Sequence, residues 1–313
     1  MLQEKLPRYI AFALIAFWPA GIMYAARIGN DTAFYVLYAI GFYFLIRWYV
    51  TETASDLYCA SGAVLLGILA KSNGLILLGT LTAGMILKIV HGAKTARQYS
   101  FLIVALLLLS IIMLTFRLRL TEIAAAFHAP QTLLVANTAS GLQNDLKLAN
   151  TIQTYTSFDA ATFVVVPFLN PIDDVSGRQF YWNYLLKSSL FGEMQFSGNE
   201  HLAIVISLFF LLFCGCIFCV MLAAPMPGNP MARLLWSAVG IGVAASLLLR
   251  ASIPFSPSND FRYIFPIIIP FSVLIAQRIA YVIHLRYYQI SFATVCVIGV
   301  FLLLSVIFFS TAL

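Results

Sequence analysis

Charged residues are scarce in this chain. Only 10% of its 313 residues are Asp, Glu, Lys or Arg, whereas 62% are hydrophobic, and the mean hydropathy is +0.94. A soluble domain carries charge on about a quarter of its residues, so the composition excludes an ordinary soluble protein. The sequence therefore predicts an all-α polytopic membrane protein, which has the lipid bilayer as its first partner.

Long polar segments are also few, and apolar windows make up most of the chain. Roughly 17 to 25 apolar residues cross about 30 Å of hydrocarbon as a helix. Lys71 to Gly74 interrupt an apolar stretch too long for one upright crossing, so we expect two short spans there. The windows predict about nine transmembrane helices by this length: Tyr9–Ala26, Thr32–Val50, Leu57–Ala70, Gly74–Val90, Phe101–Phe116, Leu202–Ala224, Leu234–Leu249, Tyr263–Ile283 and Ile290–Leu313.

One long segment lacks such a window. Residues 117–200 are predicted to form a large extracytoplasmic loop with a juxtamembrane helix, between transmembrane helices in 1–116 and in 201–313. The orientation follows from the Lys and Arg residues of the short loops, most of which fall on the side of the amino terminus. The same bias accounts for the net charge of +6, so we expect no nucleic-acid partner.

Cysteine is rare and lies only in the predicted spans, at positions 59, 214, 216, 219 and 296. No disulfide framework is indicated. Cys214, Cys216 and Cys219 do not share one helical face, which favours packing over metal binding. Asp173 and Asp174 follow an Asn-Pro turn, and two interpretations stay open for them: a solvated turn, or ligands of a divalent cation. No cofactor is otherwise indicated.

Two further segments of the long loop carry structural expectations. The stretch Phe163–Pro167 has the composition of an extended segment. Arg178–Phe191 mixes aromatic residues with basic ones, among them Lys187, which suits a helix that lies in the headgroup plane of the membrane. Such a helix would lie where the headgroup of an amphiphilic substrate emerges, although plain anchoring of the loop is the alternative.

Several polar residues reach the predicted outer face. Asp31 follows the first span at once, either as a cap of the next helix or as a functional carboxylate. Lys71 is either a flanking residue that snorkels to the interface or a functional cation. Asp260 and Arg262 form either a local surface ion pair or part of a site. A carboxylate with two cations suits a reaction in which a lipid phosphate leaves, since the cations offset its charge and the carboxylate accepts a proton.

The order of four motifs resembles that of the GT-C membrane glycosyltransferases, in the branch of the protein mannosyltransferases and the aminoarabinose and RgtA-like transferases. The resemblance extends from about Tyr9 to Ile283. It rests on these segments: Gly29-Asn30-Asp31 ahead of an aromatic span that ends in Arg47-Trp48, Ala70-Lys71-Ser72-Asn73-Gly74-Leu75, Tyr181 to Glu193, and Asp260-Phe261-Arg262-Tyr263-Ile264-Phe265-Pro266.

The resemblance implies a polyprenyl-phosphate sugar donor, a glycan, lipid or protein acceptor, and transfer on the outer side of a bacterial inner membrane. By that resemblance Asp31 matches an acidic position and is the expected catalytic residue. No residues are predicted as metal ligands of the site. Lys71 and Arg262 match basic positions near the lipid phosphate. The substrate-binding residues expected in full are Asn30, Lys71, Asn73, Lys187, Glu193, Asp260, Arg262 and Tyr263.

The chain departs from the family pattern at its amino terminus. Members normally begin with an earlier span and an outer loop that carries an acidic residue, and no counterpart precedes Tyr9. We therefore expect a carboxyl-terminal portion of such an enzyme, in which Asp31 would be the second acid of the site. Two other interpretations stay open: a transporter or flippase of lipid-linked glycans, and a non-catalytic membrane subunit of a glycan-assembly system.

Overall fold

The computed structural model describes residues 5–25, 29–91, 96–128, 145–223, 229–285 and 287–312. Within these ranges the chain is helical and contains no strand beyond a single bridge between Lys147 and Phe255. The predicted loop at 117–200 is described except for 129–144, which lie outside these ranges. The α-helices that lie wholly within them are α1 Lys5–Ala16, α2 Pro19–Ala25, α3 Asn30–Thr51, α4 Ala54–Ala70, α5 Gly74–Val90, α6 Ala96–His128, α7 Ile152–Thr156, α8 Ala160–Val165, α9 Tyr181–Phe191, α10 Glu200–Leu222, α11 Pro230–Ser252, α12 Ile268–His284 and α13 Tyr288–Ala312.

Six of the described helices are long and apolar enough to cross a membrane. The pair α1 and α2 would make a seventh, although the two are bent by 57° at a break. The break precedes Pro19, which occupies the first position of α2, where its missing N–H costs no helical hydrogen bond. α4 and α5 are shorter, with 17 residues each. These helices indicate an integral multi-pass membrane protein, and the predicted count of nine spans stays a prediction.

The chain forms two compact units, and the first comprises residues 1–27, 146–235 and 246–313. In this unit α1 packs on α12, and α10 packs on α13. Aromatic rings fill the core: Phe213 stacks on Phe301 with ring centroids 5.7 Å apart, and Trp18 meets Phe301 edge-on at 5.8 Å. The indole N–H of Trp18 donates to the carbonyl of Ser189, at 2.9 Å, which ties α9 to this core.

The second unit comprises residues 28–145 and 236–245, in which α3 packs along α4 and both contact α5. The predicted interruption is confirmed as a helix break, since α4 ends at Ala70 and α5 begins at Gly74. Gly74 lies directly against the end of α4. A Cβ atom there would be 2.4 Å from the backbone nitrogen of Ile68 and 2.5 Å from the carbonyl carbon of Gly67. The turn between these helices thus requires glycine at position 74.

Two expectations for the long loop are wrong. The predicted extended segment at Phe163 is helical, because the carboxylate of Asp159 accepts a hydrogen bond from the N–H of Thr162, at 3.0 Å, and begins α8. The helix α9 forms within the predicted stretch, but nine of its eleven residues are buried. It is an internal element of the first unit and not an amphipathic helix with one exposed face.

Substitution Gly74→Ala should lower the free energy of unfolding by about 1 to 3 kcal/mol, because the added methyl group would meet backbone atoms that cannot rotate away. Gly62→Ala is the matched control in α4, where a Cβ meets nothing within 4 Å. The control should be neutral or stabilising by up to about 1 kcal/mol. Thermal unfolding of the purified variants in detergent measures both changes. Equal unfolding temperatures for the two variants would contradict the close approach at Gly74.

Candidate functional site

The ammonium group of Lys71 and the carboxylate of Asp31 form an ion pair in the second unit. The two residues are 40 positions apart in the chain. Asp31 lies in the first turn of α3, and Lys71 is the residue directly after α4. Because α3 and α4 pack together, the start of one helix lies beside the end of the other. The fold thus brings together the predicted catalytic acid and one predicted substrate-binding cation.

The capping interpretation of Asp31 is wrong. Gly29 occupies the cap position of α3, and no side chain forms a capping hydrogen bond there. The side chain of Asp31 is 34% exposed, whereas that of Lys71 is only 11% exposed. The pair therefore presents a carboxylate to the outside and keeps its cation beneath it. The first turn of α3 also favours negative charge through the helix dipole.

Asn30 and Asn73 flank this pair in the chain. Asn30 is exposed at the first position of α3, and Asn73 is half-buried at the cap position of α5, without a side-chain capping bond. They lie in the two turns that hold Asp31 and Lys71. Among the predicted site residues, four thus belong to the second unit, and two of these are in direct contact.

Asp260 and Arg262 form the centre of a polar cluster in the first unit. Asp260 precedes a short 3-10 helix, Phe261–Tyr263, and its Oδ1 accepts the N–H of Arg262 at 2.9 Å. Oδ2 lies 3.1 Å from Nε of Arg262. The predicted local ion pair is thus confirmed. However, Asp260 is only 2% exposed, so the pair is not a surface pair, and loss of Arg262 would leave a buried carboxylate without its counterion.

Three tyrosines extend this cluster. The hydroxyl of Tyr24 donates to Oδ1 of Asp260 at 3.4 Å. The guanidinium of Arg262 lies over the ring of Tyr263, 5.1 Å from its centroid, and Nη2 donates to the Tyr263 hydroxyl at 3.2 Å. The hydroxyl of Tyr184 donates to the carboxylate of Glu193. Glu193, Asp260, Arg262 and Tyr263 thus each lie beside another polar group of the first unit, and their predicted role in substrate binding stays a prediction.

The electrostatics of the cluster keep two of its groups in one protonation state. Burial lowers the pKa of Arg262, but the charge of Asp260, together with smaller effects of Tyr263 and Glu193, raises the pKa overall. Burial raises the pKa of Tyr184, and the negative charge of Glu193 raises it further. Arg262 is therefore a permanent cation whose side chain is 28% exposed, and Tyr184 is a neutral hydrogen-bond donor.

Lys187 has a different place from the one predicted. It is fully buried on α9, and its ammonium group donates to the backbone carbonyls of Thr162, Val166 and Ser176. An ammonium group has three donors, so all are used. Burial lowers the pKa of Lys187 to about 8, although the charge of Asp159 opposes the shift. The predicted substrate contact is therefore replaced by a structural role at the end of α8.

The Asp173–Asp174 turn is held by contacts within the loop. Oδ1 of Asp173 accepts the N–H of Val175 at 2.9 Å, and Asp174 pairs with Nε of Arg178 at 2.8 Å. Across the described ranges, no group of three or more His, Cys, Asp or Glu side chains is arranged to hold a metal ion. These contacts favour the turn interpretation over a divalent-cation site.

Two buried polar side chains were not predicted as site residues. Asn259, next to Asp260, is fully buried, and neither amide atom has a hydrogen-bond partner among the described residues. Arg250 is also fully buried near the end of α11. Neither residue belongs to a motif in the sequence, so no local signal identifies it as a site residue.

Comparison of the chain with protein-family models, with curated proteins and with solved structures finds no match. The GT-C resemblance therefore stays a prediction, which rests on the motifs of this chain alone.

Lys187→Met should destabilise the protein by about 3 kcal/mol or more, because three buried carbonyls would lose their donor. Lys147→Met is the control, since Lys147 is an exposed lysine of the same unit and should change stability by no more than about 0.5 kcal/mol. Thermal unfolding in detergent measures both. A substrate-binding lysine without a structural role would give the opposite pattern, with unchanged unfolding of the Lys187 variant.

Proposed function

We propose that the chain is an integral membrane glycosyltransferase, or the carboxyl-terminal portion of one. In this proposal it transfers a sugar from a polyprenyl-phosphate donor to an acceptor hydroxyl on the extracytoplasmic side of a bacterial inner membrane. The observation that carries the proposal is the ion pair between Asp31 and Lys71. Asp31 lies in the first turn of a candidate membrane span, and ionisable residues within such spans are functional candidates by default.

The ion pair supports the topology on which the proposal depends. With nine spans and the amino terminus inside, α3 starts and α4 ends at the outer face. Contact between Asp31 and Lys71 is consistent with that arrangement, whereas an unbroken span through Lys71 would have put its ammonium group near the middle of the membrane. α4 and α5, at 17 residues each, would span about 25 Å at 1.5 Å per residue, close to the thickness of the hydrocarbon.

In the proposed reaction, the carboxylate of Asp31 accepts the proton of the acceptor hydroxyl. At the same time, the oxygen of that hydroxyl attacks the anomeric carbon of the sugar. The bond between that carbon and the phosphate oxygen breaks, and the electron pair leaves with the polyprenyl phosphate. Lys71 orients the carboxylate, and its positive charge offsets the charge that develops on the leaving phosphate. The exposure of Asp31 supports the role of the acceptor-side base, since an acceptor must reach it.

Arg262 is the candidate phosphate-binding group of the first unit. It is a permanent cation and is partly exposed, and guanidinium groups bind phosphate oxygens well. Asp260 and Tyr263 fix its orientation. Removal of Arg262 would also strip buried Asp260 of its counterion, so loss of activity in such a variant has two explanations. The sharper test of the proposal is therefore at Asp31.

A transporter of lipid-linked glycans is the second candidate, and two observations favour it. The first apolar window is a broken helix, with α1 and α2 bent by 57°. Asp56 in the first turn of α4 is buried, with Arg47 Nε 3.4 Å from its carboxylate. Broken helices and buried acids occur in carriers. A carrier would move the lipid-linked sugar across a vesicle membrane without forming a new glycosidic bond.

Asp31→Asn should lower the rate of sugar transfer from a polyprenyl-phosphate donor by about two to four orders of magnitude, the usual contribution of a general base. The substituted amide keeps the shape of the side chain and an oxygen that accepts from Lys71. The unfolding temperature of the variant should therefore stay close to that of the wild-type protein, although the rate of sugar transfer falls. The assay follows radiolabelled sugar from donor to acceptor in proteoliposomes.

Glu200→Gln is the matched control, since Glu200 is also an acid in the first turn of a long helix and is exposed. It should leave transfer unchanged. Equal transfer by the wild-type protein and the Asp31 variant would remove Asp31 as the base. Translocation of the donor lipid without any transfer product would favour the transporter. Activity that appears only with a separate partner chain would favour the non-catalytic subunit.

A further inference from the structure

The guanidinium group of Arg250 is a buried charge of the first unit with few hydrogen-bond partners among the described residues. Arg250 is fully buried in the last turn of α11. Its Nη2 donates to the carbonyl of Ala149 at 2.9 Å, and its Cζ lies 5.8 Å from the ring centroid of Tyr155. Nε and Nη1 have no hydrogen-bond partner among the described residues, and none of those residues supplies a carboxylate that pairs with it.

Two buried hydroxyl groups without a formed hydrogen bond belong to the same cluster. Ser246 lies one helical turn before Arg250 on α11, so the two side chains share a face. Tyr181, at the start of α9, contacts Tyr155 with ring centroids 6.1 Å apart, and its hydroxyl interacts with that of Ser246. Neither hydroxyl has a partner of hydrogen-bond geometry in the described part of the chain. Burial raises the pKa of Tyr181 to about 12, so its hydroxyl keeps its proton.

This cluster has more hydrogen-bond donors than acceptors. Guanidinium groups can only donate, whereas each of the two hydroxyls can donate one hydrogen atom and can also accept. Buried polar groups in folded proteins are nearly always hydrogen-bonded, and a buried cation without a counterion is strongly unfavourable. An anchoring role explains only part of Arg250, since the bond to Ala149 uses one of its five N–H groups. The set as a whole is complementary to an oxyanion.

We propose that Arg250, Ser246 and Tyr181 bind the phosphate group of a lipid or of a soluble phosphate compound. The phosphate oxygens would accept from Nε and Nη1 of Arg250 and from the two hydroxyls. Because these atoms are buried, the half-buried ring of Tyr155 must move aside before the anion binds. α7, which carries Tyr155, is one short turn held by the Arg250 contact and by Asn150, whose amide donates to Ala251. The inference does not depend on the transferase proposal.

The test uses the full chain purified in neutral maltoside micelles. Its thermal unfolding is followed in inorganic phosphate against chloride of equal ionic strength, and separately with dioctanoyl phosphatidic acid against a neutral diacylglycerol. A ligand that binds the folded state raises the unfolding temperature, and the concentration dependence gives Kd. A response to inorganic phosphate assigns the site to soluble phosphates, and a response to phosphatidic acid alone assigns it to lipid phosphates.

Tyr181→Phe and Ser246→Ala each remove a single hydroxyl that, among the described residues, forms no hydrogen bond of good geometry without ligand. Each should leave the unliganded unfolding temperature unchanged or slightly higher, and should raise Kd about fivefold, the equivalent of one hydrogen bond. Arg250→Lys keeps the charge and loses the planar donors, so Kd should rise at least tenfold. Ser305→Ala is the matched control, since Ser305 is a buried helical serine already bonded to Phe301. It should leave Kd unchanged.

Two results would overturn the inference. One is an unfolding temperature of the wild-type protein that responds to neither phosphate probe. The other is a wild-type Kd in both hydroxyl variants, which would place the anion elsewhere and leave Arg250 as a structural anchor. The hydroxyl variants keep the test decisive even if the Arg250 variant does not fold.

Discussion

The constraint on which this structure depends is the cost of placing charge inside an apolar chain. Burial of an unpaired ion costs several kcal/mol, so each of the few charges must find a partner or remain near water. Lys187 finds three backbone carbonyls, and Asp260 finds Arg262. The contacts of Lys187 hold together parts of the predicted loop, and the pair of Asp260 with Arg262 holds the segment before α12. The polar groups therefore determine how the loop is built, while the apolar groups determine where the long helices form.

The two units use this constraint differently. In the first unit the charge of Lys187 is internal, and α9 is held by its ammonium group, by the indole of Trp18 and by the carboxamide of Asn183, which exchanges hydrogen bonds with the backbone of Asp159. In the second unit the ion pair of Asp31 with Lys71 lies at the helix ends and leaves the carboxylate partly exposed. A buried, fully bonded charge is a structural group. A charge that is held in place and still accessible can take part in chemistry.

The long apolar helices and the break before Gly74 could be predicted because hydropathy and turn residues are local properties. The bend of 57° between α1 and α2 was missed, since the window Tyr9–Ala26 was predicted as one continuous span. The placement of Lys187 could not be predicted, because its partners lie 11 to 25 positions away in a loop without periodicity. The burial of α9 was missed for a related reason. A helix with mixed apolar and polar residues has the same composition whether its polar face meets lipid headgroups or packs against other parts of the protein.

The candidate site could be predicted only as far as topology allowed. Asp31 and Lys71 were expected on one face from the lengths of two spans, and their contact supports that inference without naming a substrate. Arg250 could not be recognised from the sequence, because a count of basic residues in the loops does not show which of them are buried. What distinguishes it is a property of the folded state: two N–H groups enclosed without an acceptor. Burial of such a group has a free-energy cost, which is offset either by a bound ligand or by the stability of the surrounding helices. Because the hydroxyls of Ser246 and Tyr181 also form no hydrogen bond of good geometry among the described residues, a bound ligand is the simpler explanation.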